Sequence, residues 1–263
     1  MMQLFKIDRE KCRQDGICKD VCPVNIITTD EKGYPKPLKN REYLCLNCGH
    51  CMAVCPSSAF SLCTMPPESC IPVNPDLAIN EEQIVHHFKT RRSSRIFQEK
   101  QVPRDILERL LDITRYAPNA ENAQPLNWLI IESKEEVKRY AGLVVDGLQG
   151  KDKFRGVILF WKRGNDMIFR GAPNVIIAHA PKGGFNPQID CIIALSHLEL
   201  AAPAFGLGAC WAGFMMAASE HKPLIEALKI PEDHRIYGAM ILGYPAHGYK
   251  RIPLRNPAKI KWL

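Results

Sequence analysis

Seven cysteines between residues 12 and 55 constrain this chain more than any other feature. They fall into two closely spaced runs, and each run ends in the pair Cys-Pro. Because cysteine makes up only about 4% of the chain, these thiols favour a metal-bound module over a disulfide scaffold. The runs are Cys12-x5-Cys18-x3-Cys22-Pro23, in which Asp15 stands where a further cysteine would complete the pattern, and Cys45-x2-Cys48-x2-Cys51-x3-Cys55-Pro56.

Over about 55 residues this pattern resembles the two-cluster bacterial ferredoxins, in which the fourth cysteine of each run binds the other cluster. The resemblance implies two 4Fe-4S clusters. A three-iron cluster is the alternative for the one next to Asp15, because a carboxylate is a harder ligand than a thiolate. Zinc also binds thiolates, but two interlocked motifs ending in Cys-Pro disfavour a zinc module. The implied ligands are Cys22, Cys45, Cys48 and Cys51 for cluster B, and Cys12, Cys18 and Cys55 with Asp15 as the candidate fourth ligand for cluster A.

The composition is that of a soluble globular protein. With 46% hydrophobic and 24% charged residues among 263, the chain can bury one core and a second, smaller one. It has no run of 18 apolar residues, and Lys6 and Asp8 interrupt the stretch that a signal peptide would need. We therefore expect a cytoplasmic protein with no membrane partner. The net charge of +7 does not indicate a nucleic-acid partner, because the basic residues are dispersed.

Changes in composition and in hydrophobic periodicity divide the chain into three segments. Residues 1–60 form the iron–sulfur domain, with a strand, a turn and a returning strand predicted over residues 26–35. Residues 61–80 contain four prolines and are expected to form an extended linker. Residues 81–263 form a second domain, in which helices mixed with a few strands predict an α+β fold.

Capping and periodicity predict four helices and three strands in the second domain. The first helix is capped by Asn80 and Gln83, with Ile84, Val85 and Phe88 on its apolar face. The second helix begins at Pro103 and has an apolar face of Ile106, Leu107, Leu110 and Ile113. The third begins at a capping box of Ser133 and Glu136. The fourth begins near Ile189 and ends near Gly206. The strands cover residues 128–131, 174–178 and 236–242.

Three stretches of the second domain carry groups suited to a flat, phosphorylated cofactor. Arg91-Arg92-Ser93-Ser94-Arg95 offers guanidinium groups, which bind phosphate in a bidentate manner. Residues 117–128 are rich in side-chain amides, which supply both donors and acceptors. Residues 206–214 contain small residues that let the backbone approach a ring closely.

In this order the stretches resemble the nitroreductase family, with its pattern R-R-S-x-R, A-P-S-x-x-N-x-Q-P-W and G-L-G-x-x-W-x-G. The resemblance covers residues 85–263, with Asn119 in place of the usual serine, Leu126 in place of tryptophan, and Trp128 two positions later. It implies an FMN-dependent nitroreductase-like fold, with a central antiparallel-type sheet flanked by helices and preceded by the ferredoxin-like domain. It also implies an intertwined homodimer.

The resemblance further implies which residues contact FMN, where the chemistry takes place, so that no separate catalytic residue is expected. Arg95 would lie near the N1/O2 edge, and Ala212 and Gly213 near N5. The residues implied at the phosphate and ribityl chain are Arg91, Arg92 and Ser93, with Arg255 and then Arg251 at the last phosphate-binding segment. The residues implied in the amide-rich loop, reaching the flavin of the second subunit, are Pro118, Asn119, Ala120 and Asn122, with Gln124 beside them.

We expect an oxidoreductase whose FMN takes electrons from the clusters or from NAD(P)H and passes them to a small acceptor such as a nitroaromatic or a quinone. A ferredoxin or another redox protein is the expected donor to the clusters. The alternative from another class is an electron-transfer or redox-sensing protein that serves a protein partner. Within enzymes, a reductive dehalogenase or a flavin-remodelling relative is the other alternative.

The remaining cysteines and histidines carry weaker signals. For Cys63, Cys70, Cys191 and Cys210 we expect buried, unreactive thiols, with a metal or redox role as the alternative for the first two. His86 and His87 point to different sides of a helix, so one is expected to pack and the other to face solvent. The same caution against a catalytic role covers His179, His197 and His221.

Overall fold

A computed structural model describes residues 4–263, and in it the chain forms two compact units. The first unit holds the described residues up to Ala78 together with Glu121–Ala123. The second holds Ile79–Ala120 and Gln124–Leu263. Among residues 4–263, no helix is long and apolar enough to cross a bilayer.

The first unit consists of short elements around a small core. Strand β1 (Phe5–Ile7) pairs antiparallel with β4 (Phe60–Leu62). Strand β2 (Ile27–Thr29) pairs antiparallel with β3 (Pro35–Pro37), in the segment where a strand, a turn and a returning strand were predicted. Phe5, Ile26, Phe60 and Leu62 are almost fully buried. The elements are β1 (Phe5–Ile7), α1 (Ile17–Asp20), β2 (Ile27–Thr29), β3 (Pro35–Pro37), α2 (His50–Ala53) and β4 (Phe60–Leu62).

The two halves of this unit repeat one backbone conformation 33 positions apart. Gly16 precedes α1 with φ 75° and ψ −5°, and Gly49 precedes α2 with φ 76° and ψ −4°. Gln14 and Asn47 are a second left-handed pair at the same offset, with φ 55° and 49°. The same shift aligns Asp15 with Cys48, so the aspartate occupies the position that a thiol has in the second copy of the loop.

The second unit is a four-stranded sheet with helices on both faces. Its elements are α3 (Glu81–Thr90), α4 (Arg104–Thr114), β5 (Asn127–Ile131), α5 (Lys134–Leu148), α6 (Arg155–Lys162), β6 (Asn174–Pro181), α7 (Pro187–Ala201), β7 (Gly208–Trp211), α8 (Gly213–Ala217), α9 (Lys222–Ala227) and β8 (His234–Gly243).

The sheet has the order β5-β6-β8-β7, and every neighbouring pair is antiparallel. Central strand β6 is buried on both faces, which explains its nearly continuous apolar sequence. Val175 and Ile177 pack into one core with α5, whereas Ile176 and Ala178 pack into the other with α4 and α7. The expected α+β fold with a central antiparallel sheet is confirmed.

Helix α3 begins as its sequence indicates. The Asn80 side chain accepts from Gln83 N–H at 2.9 Å, and the Gln83 side chain accepts from Asn80 N–H at 3.1 Å, which completes a capping box. However, its apolar residues Ile84, Val85 and Phe88 are 37%, 40% and 55% exposed. The expected apolar face is therefore present, but residues 4–263 leave it partly exposed.

Other helices differ in detail from the expectation. In α4, Leu107 and Leu110 are buried, but Ile113 is 38% exposed and Thr114 is buried in its place. The helix expected to reach Gly206 stops as an α-helix at Ala201, because Pro203 cannot continue it, and a 3₁₀ turn follows. Ser133 caps α5 by accepting from Glu136 N–H at 3.1 Å.

The predicted linker begins later than expected. Ser61 and Leu62 belong to strand β4, where Leu62 is opposite Phe5. Beyond them the chain forms two 3₁₀ turns, Pro67–Ser69 and Pro75–Leu77, each starting at a proline. Exposed apolar side chains at Ile71 and Val73 lie between these turns.

Candidate functional site

One cavity in the first unit is lined by four thiols from both cysteine runs. These are Cys22, Cys45, Cys48 and Cys51, the set implied for cluster B. The cavity, together with the space in front of it that is open to solvent, measures about 390 Å³, and the rest of its wall is mostly apolar, including Phe5, Ile26 and Leu62. The left-handed Gly49 turn starts α2 and brings Cys51 to the wall that Cys48 also lines.

A second cavity, about 330 Å³ with its space open to solvent, brings together the residues implied for cluster A. Cys12, Asp15, Cys18 and Cys55 all line it. Its wall is more polar than that of the first cavity, since Arg13, Gln14 and Ser57 contribute to it. Asp15 Oδ1 also accepts from Ile17 N–H at 3.3 Å, which orients the carboxylate at the start of α1.

Backbone N–H groups donate hydrogen bonds to the sulfur atom at two of these positions. Asn47 N–H donates to Cys45 Sγ at 3.4 Å, and Ala59 N–H donates to Cys55 Sγ at 3.3 Å. Burial opposes ionisation of Cys55, but hydrogen bonds from Ser57 and from backbone N–H groups lower its pKa below the ordinary thiol value. A thiolate stabilised in this way is suited to binding metal.

Burial has the opposite effect on the deeper thiols. It raises the pKa of Cys51 to about 12, and it raises the pKa of Cys18, where Asp15 adds to the effect. Such thiols ionise at neutral pH only when a cation compensates for the lost hydration, so metal binding would release their protons. Among residues 4–263, no three His, Cys, Asp or Glu side chains surround a single-ion site.

The other cysteines divide by burial. Cys191 is fully buried, and burial raises its pKa to about 12, so it is the unreactive thiol expected there. Cys210 is also buried. Cys63 is exposed, which differs from the expectation, and half-buried Cys70 donates to Pro66 O at 3.6 Å.

In the second unit, the arginine-rich segment, residues 91–95, follows α3, and its residues have different hydrogen-bond partners. Arg91 Nη1 lies 2.8 Å from Glu199 Oε1, in α7. Ser94 is buried, and its N–H donates to the carbonyl oxygen of Ala209, a residue of β7, at 3.0 Å. Arg92 and Ser93 are half-buried, whereas Arg95 is exposed and donates to Ser93 O at 3.4 Å.

A cavity, about 540 Å³ with its space open to solvent, lies beside the amide-rich loop. It is lined by Thr114, Arg115, Ala117, Asn119, Gln124, Leu126, Trp128, Asp190 and Ala194. Asn119 Oδ1 accepts from Gln124 N–H at 2.8 Å, and Asn119 Nδ2 donates to Ala117 O at 3.2 Å. Asn119 thus holds the loop together as well as facing the cavity.

Asp190 is a site residue that sequence reasoning missed. Its carboxylate is buried near the start of α7, and Oδ1 accepts from Ala120 N–H at 3.0 Å. The only available signal was an acidic residue at the start of an apolar helix, which is common because of the helix dipole. Only the folded chain places that residue beside the loop, 70 positions away.

The remaining predicted flavin residues lie in different surroundings. Ala212 is buried next to α8, and its N–H donates to Ala239 O at 2.9 Å, with Gly213 beginning the helix. Pro118 is exposed. Arg251 and Arg255 lie in residues 249–263, which have neither helix nor strand and are exposed throughout, so these arginines are outside the packed part of the unit.

Four of the histidines contact neighbouring groups, and His86 does not pack. His87 Nε2 lies 2.6 Å from Leu200 O, while His86 is exposed. His197 Nδ1 is 3.0 Å from Ile193 O in the same helix. His179 Nδ1 lies 2.9 Å from His234 Nδ1, and burial together with the neighbouring imidazole lowers the pKa of His179.

Comparison with known proteins agrees with these two modules. A family model described as "Nitroreductase family" matches residues 88–244, and one described as "4Fe-4S dicluster domain" matches residues 11–59. A Methanothermobacter thermautotrophicus protein named "Putative NADH dehydrogenase/NAD(P)H nitroreductase" is 26% identical over 195 residues, which are 73% of this chain and 94% of the relative.

Solved structures share the fold of the second unit. A nitroreductase from Bacteroides fragilis with bound FMN matches with a TM-score of 0.52 and 25% identity, over 70% of this chain and 96% of that one. A nitroreductase from Desulfitobacterium hafniense with bound FMN matches with a TM-score of 0.58 and 21% identity, over 71% and 100% of the two chains.

The antiparallel α+β unit and the thiol-lined module define an oxidoreductase. Because the first family match spans more than half of its length, the chain belongs to the nitroreductase family, and it carries a 4Fe-4S dicluster domain ahead of that match.

Proposed function

We propose that this protein is an FMN-dependent oxidoreductase that receives electrons through two N-terminal iron–sulfur clusters and reduces a small acceptor such as a nitroaromatic or a quinone. NAD(P)H is the alternative donor. The observation that carries the proposal is the sorting of eight candidate ligands into two separate cavities, within a chain of the nitroreductase family.

The residues present fit two iron–sulfur clusters. Cluster B would be held by Cys22, Cys45, Cys48 and Cys51, and its apolar wall would exclude water from the metal centre. Cluster A would be held by Cys12, Cys18 and Cys55, with Asp15 as its fourth ligand. Backbone N–H groups aimed at Cys45 and Cys55 would stabilise the thiolates and raise the reduction potentials.

The second unit offers groups that suit a flavin phosphate and ring, and bound FMN would supply the electron transfer to the acceptor. Arg92 and Ser93 are the first candidates at the phosphate, since the guanidinium of Arg91 already pairs with Glu199. Arg95 would face the N1/O2 edge, and Ala212 with Gly213 the N5 side. Arg255 and Arg251 are further phosphate candidates in the exposed C-terminal segment.

A homodimer would complete this arrangement. Residues 4–263 leave the apolar face of α3 partly exposed, with Phe88 55% exposed, and the C-terminal segment exposes Leu254 and Trp262 almost fully. Apolar side chains left in water at this density mark a contact surface. In the dimer, Pro118, Asn119, Ala120 and Gln124 would reach the flavin of the second subunit. The implied flavin contact of Asn122 is not proposed, because its side-chain amide donates to Leu46 O and Asn47 O.

The test begins with anaerobic purification, followed by iron and flavin counting. The proposal requires about eight irons, or seven if cluster A has three, and one FMN per chain. The protein is then mixed with reduced ferredoxin or with NAD(P)H, and flavin reduction and consumption of nitro compounds and quinones are followed. A preparation with neither iron nor flavin contradicts the proposal.

Two variants make the test specific. Cys48→Ser is expected to remove one cluster and slow flavin reduction by ferredoxin. Cys63→Ser changes an exposed thiol outside both cavities and is expected to keep the iron content. Electron delivery to a protein partner, with no turnover of any compound in the panel, would instead establish the electron-carrier alternative.

A further inference from the structure

The chain enters the first unit a second time at Glu121–Ala123, within the amide-rich loop. There Asn122 Nδ2 donates to two backbone carbonyls, Leu46 O at 3.2 Å and Asn47 O at 3.1 Å. Both carbonyls lie between Cys45 and Cys48. One side-chain amide therefore holds the short loop that supplies two candidate ligands of cluster B.

The backbone conformation on both sides of this contact is unusual. Glu121 and Asn122 have φ values of 56° and 54°, and Asn47 has a φ of 49°. Left-handed conformations at residues other than glycine cost about 1 kcal/mol or more each and persist where surrounding contacts hold them. Thr64 Oγ1 also donates to Asn47 Oδ1, so the cluster loop is fixed from two sides.

Chain connectivity relates Asn122 to the rest of the amide-rich loop. Consecutive Cα atoms are about 3.8 Å apart, so the Cα atom of Asn122 lies within about 8 Å of those of Ala120 and Gln124. Asp190 holds the N–H of Ala120, and Gln124 bonds to Asn119. The covalent chain thus links the cluster B loop to the residues proposed for the flavin through a few residues.

We infer that cluster B is the electron exit towards the flavin and that Asn122 is the positioning residue that fixes its loop for this transfer. The inference rests on the proposed function. Each transfer removes one electron from cluster B and adds it to FMN, and two transfers with two protons from solvent complete the reduction. A reduced ferredoxin-type protein supplies the electrons.

The experiment uses full-length protein, purified without oxygen, with Asn122→Leu as the variant. Leucine keeps the approximate size of the side chain but donates no hydrogen bond. Stopped-flow absorbance follows flavin reduction after mixing with reduced ferredoxin. Iron content, the FMN dissociation constant, and the electron paramagnetic resonance spectra and midpoint potentials of both clusters are measured beside it. Glu121→Gln is the matched control, because it changes an exposed side chain in the same left-handed turn.

The inference predicts that Asn122→Leu slows cluster-to-flavin transfer by about tenfold or more, the usual effect of losing an outer-shell partner. The spectrum or potential of one cluster changes, iron content and FMN affinity stay as in the wild type, and Glu121→Gln behaves like the wild type. If Asn122→Leu loses iron, Asn122→Ser is measured in the same way with the same expectations, because its single hydroxyl hydrogen cannot donate to both carbonyls.

An unchanged transfer rate in a variant with full iron and flavin overturns the inference. So does a loss of FMN affinity that accounts for the slower rate, because Asn122 would then act on the flavin itself. If the wild-type clusters do not reduce the flavin at all, the proposed function fails, and the inference fails with it. The wild-type measurement therefore separates the two failures.

Discussion

Arg91 and Glu199 form a half-buried ion pair, with 2.8 Å between Nη1 and Oε1, that ties the end of α3 to α7. The other oxygen of the same carboxylate, Oε2, accepts from Trp211 Nε1 at 3.2 Å, at the end of β7. Glu199 thus links three elements of the second unit. It occupies this position because α7 packs against the sheet that contains β7, a relationship that no local sequence pattern contains.

We expect Glu199→Gln to lower the free energy of unfolding of the second unit by about 2 kcal/mol, because it breaks a charge-assisted bond and places an amide donor beside two other donors. Urea unfolding followed by tryptophan fluorescence measures this, since all four tryptophans lie after residue 79. Glu132→Gln is the control, because its partner Arg104 is 79% exposed and no measurable change is expected. Equal effects of the two substitutions would contradict the prediction.

The two neighbouring arginines are expected to differ in function. Arg92→Ala should weaken FMN binding about tenfold or more, as the loss of a charge-assisted bond to phosphate would, and should leave stability unchanged. Arg91→Ala should mainly destabilise the fold, since its guanidinium pairs with Glu199. Fluorescence titration of the FMN-free protein gives the affinities, with exposed Arg163→Ala as the control. Stronger loss of affinity in Arg91→Ala would reverse the assignment.

Gly208 is required by the close approach of the arginine-rich segment. A Cβ atom added there would lie 2.6 Å from Ser94 Cβ, which is closer than packed carbon atoms come. We expect Gly208→Ala to cost about 1–3 kcal/mol in the free energy of unfolding. In contrast, Gly156→Ala in α6 meets no atom within 4 Å and is expected to be neutral or slightly stabilising.

A double variant checks the cause of that cost. Combining Gly208→Ala with Ser94→Gly removes the clashing side chain and should recover part of the lost stability. No recovery would place the cost elsewhere in the segment.

The pair His179 and His234 predicts a pH dependence of stability. The folded pKa of His179 lies below its ordinary value of 6.5, so the unfolded chain binds more protons near that pH. Stability should therefore be retained above pH 6.5 and decrease as the pH falls from 6.5 towards the lowered folded value. His179→Gln should show a smaller loss between about pH 7.5 and 5.5, and exposed His86→Gln should behave like the wild type. The same loss in all three proteins would exclude His179 as the source.

The local features of this protein could be predicted from its sequence more fully than its long-range contacts could. Asn80 with Gln83 predicted the start of α3, because a capping box depends on residues close together in the chain. The residues that line each cavity combine both Cys-Pro runs, and they were implied by the resemblance to two-cluster ferredoxins and not by proximity in the chain. Strand β7 was not predicted, because its small residues pair with β8 some 30 positions later. Asp190 and Glu199 were missed for the same reason: each acts on a segment that only folding brings near.

The position of Asp15 leads to the last prediction. In the 33-residue repeat, Asp15 is equivalent to Cys48, and it lines one cavity with Cys12, Cys18 and Cys55. A carboxylate binds iron of a cluster less tightly than a thiolate, so cluster A should lose one iron more readily than cluster B. Asp15→Cys should therefore stabilise cluster A.

The measurement is iron content and electron paramagnetic resonance before and after mild oxidation. The wild type should develop a three-iron signal, and Asp15→Cys should retain four irons in cluster A. Asp20→Asn, an exposed change in α1, should behave like the wild type. Unchanged spectra in Asp15→Cys, before and after iron loss, would mean that residue 15 does not reach the metal, since replacing a ligand of a different hardness must alter the iron it binds.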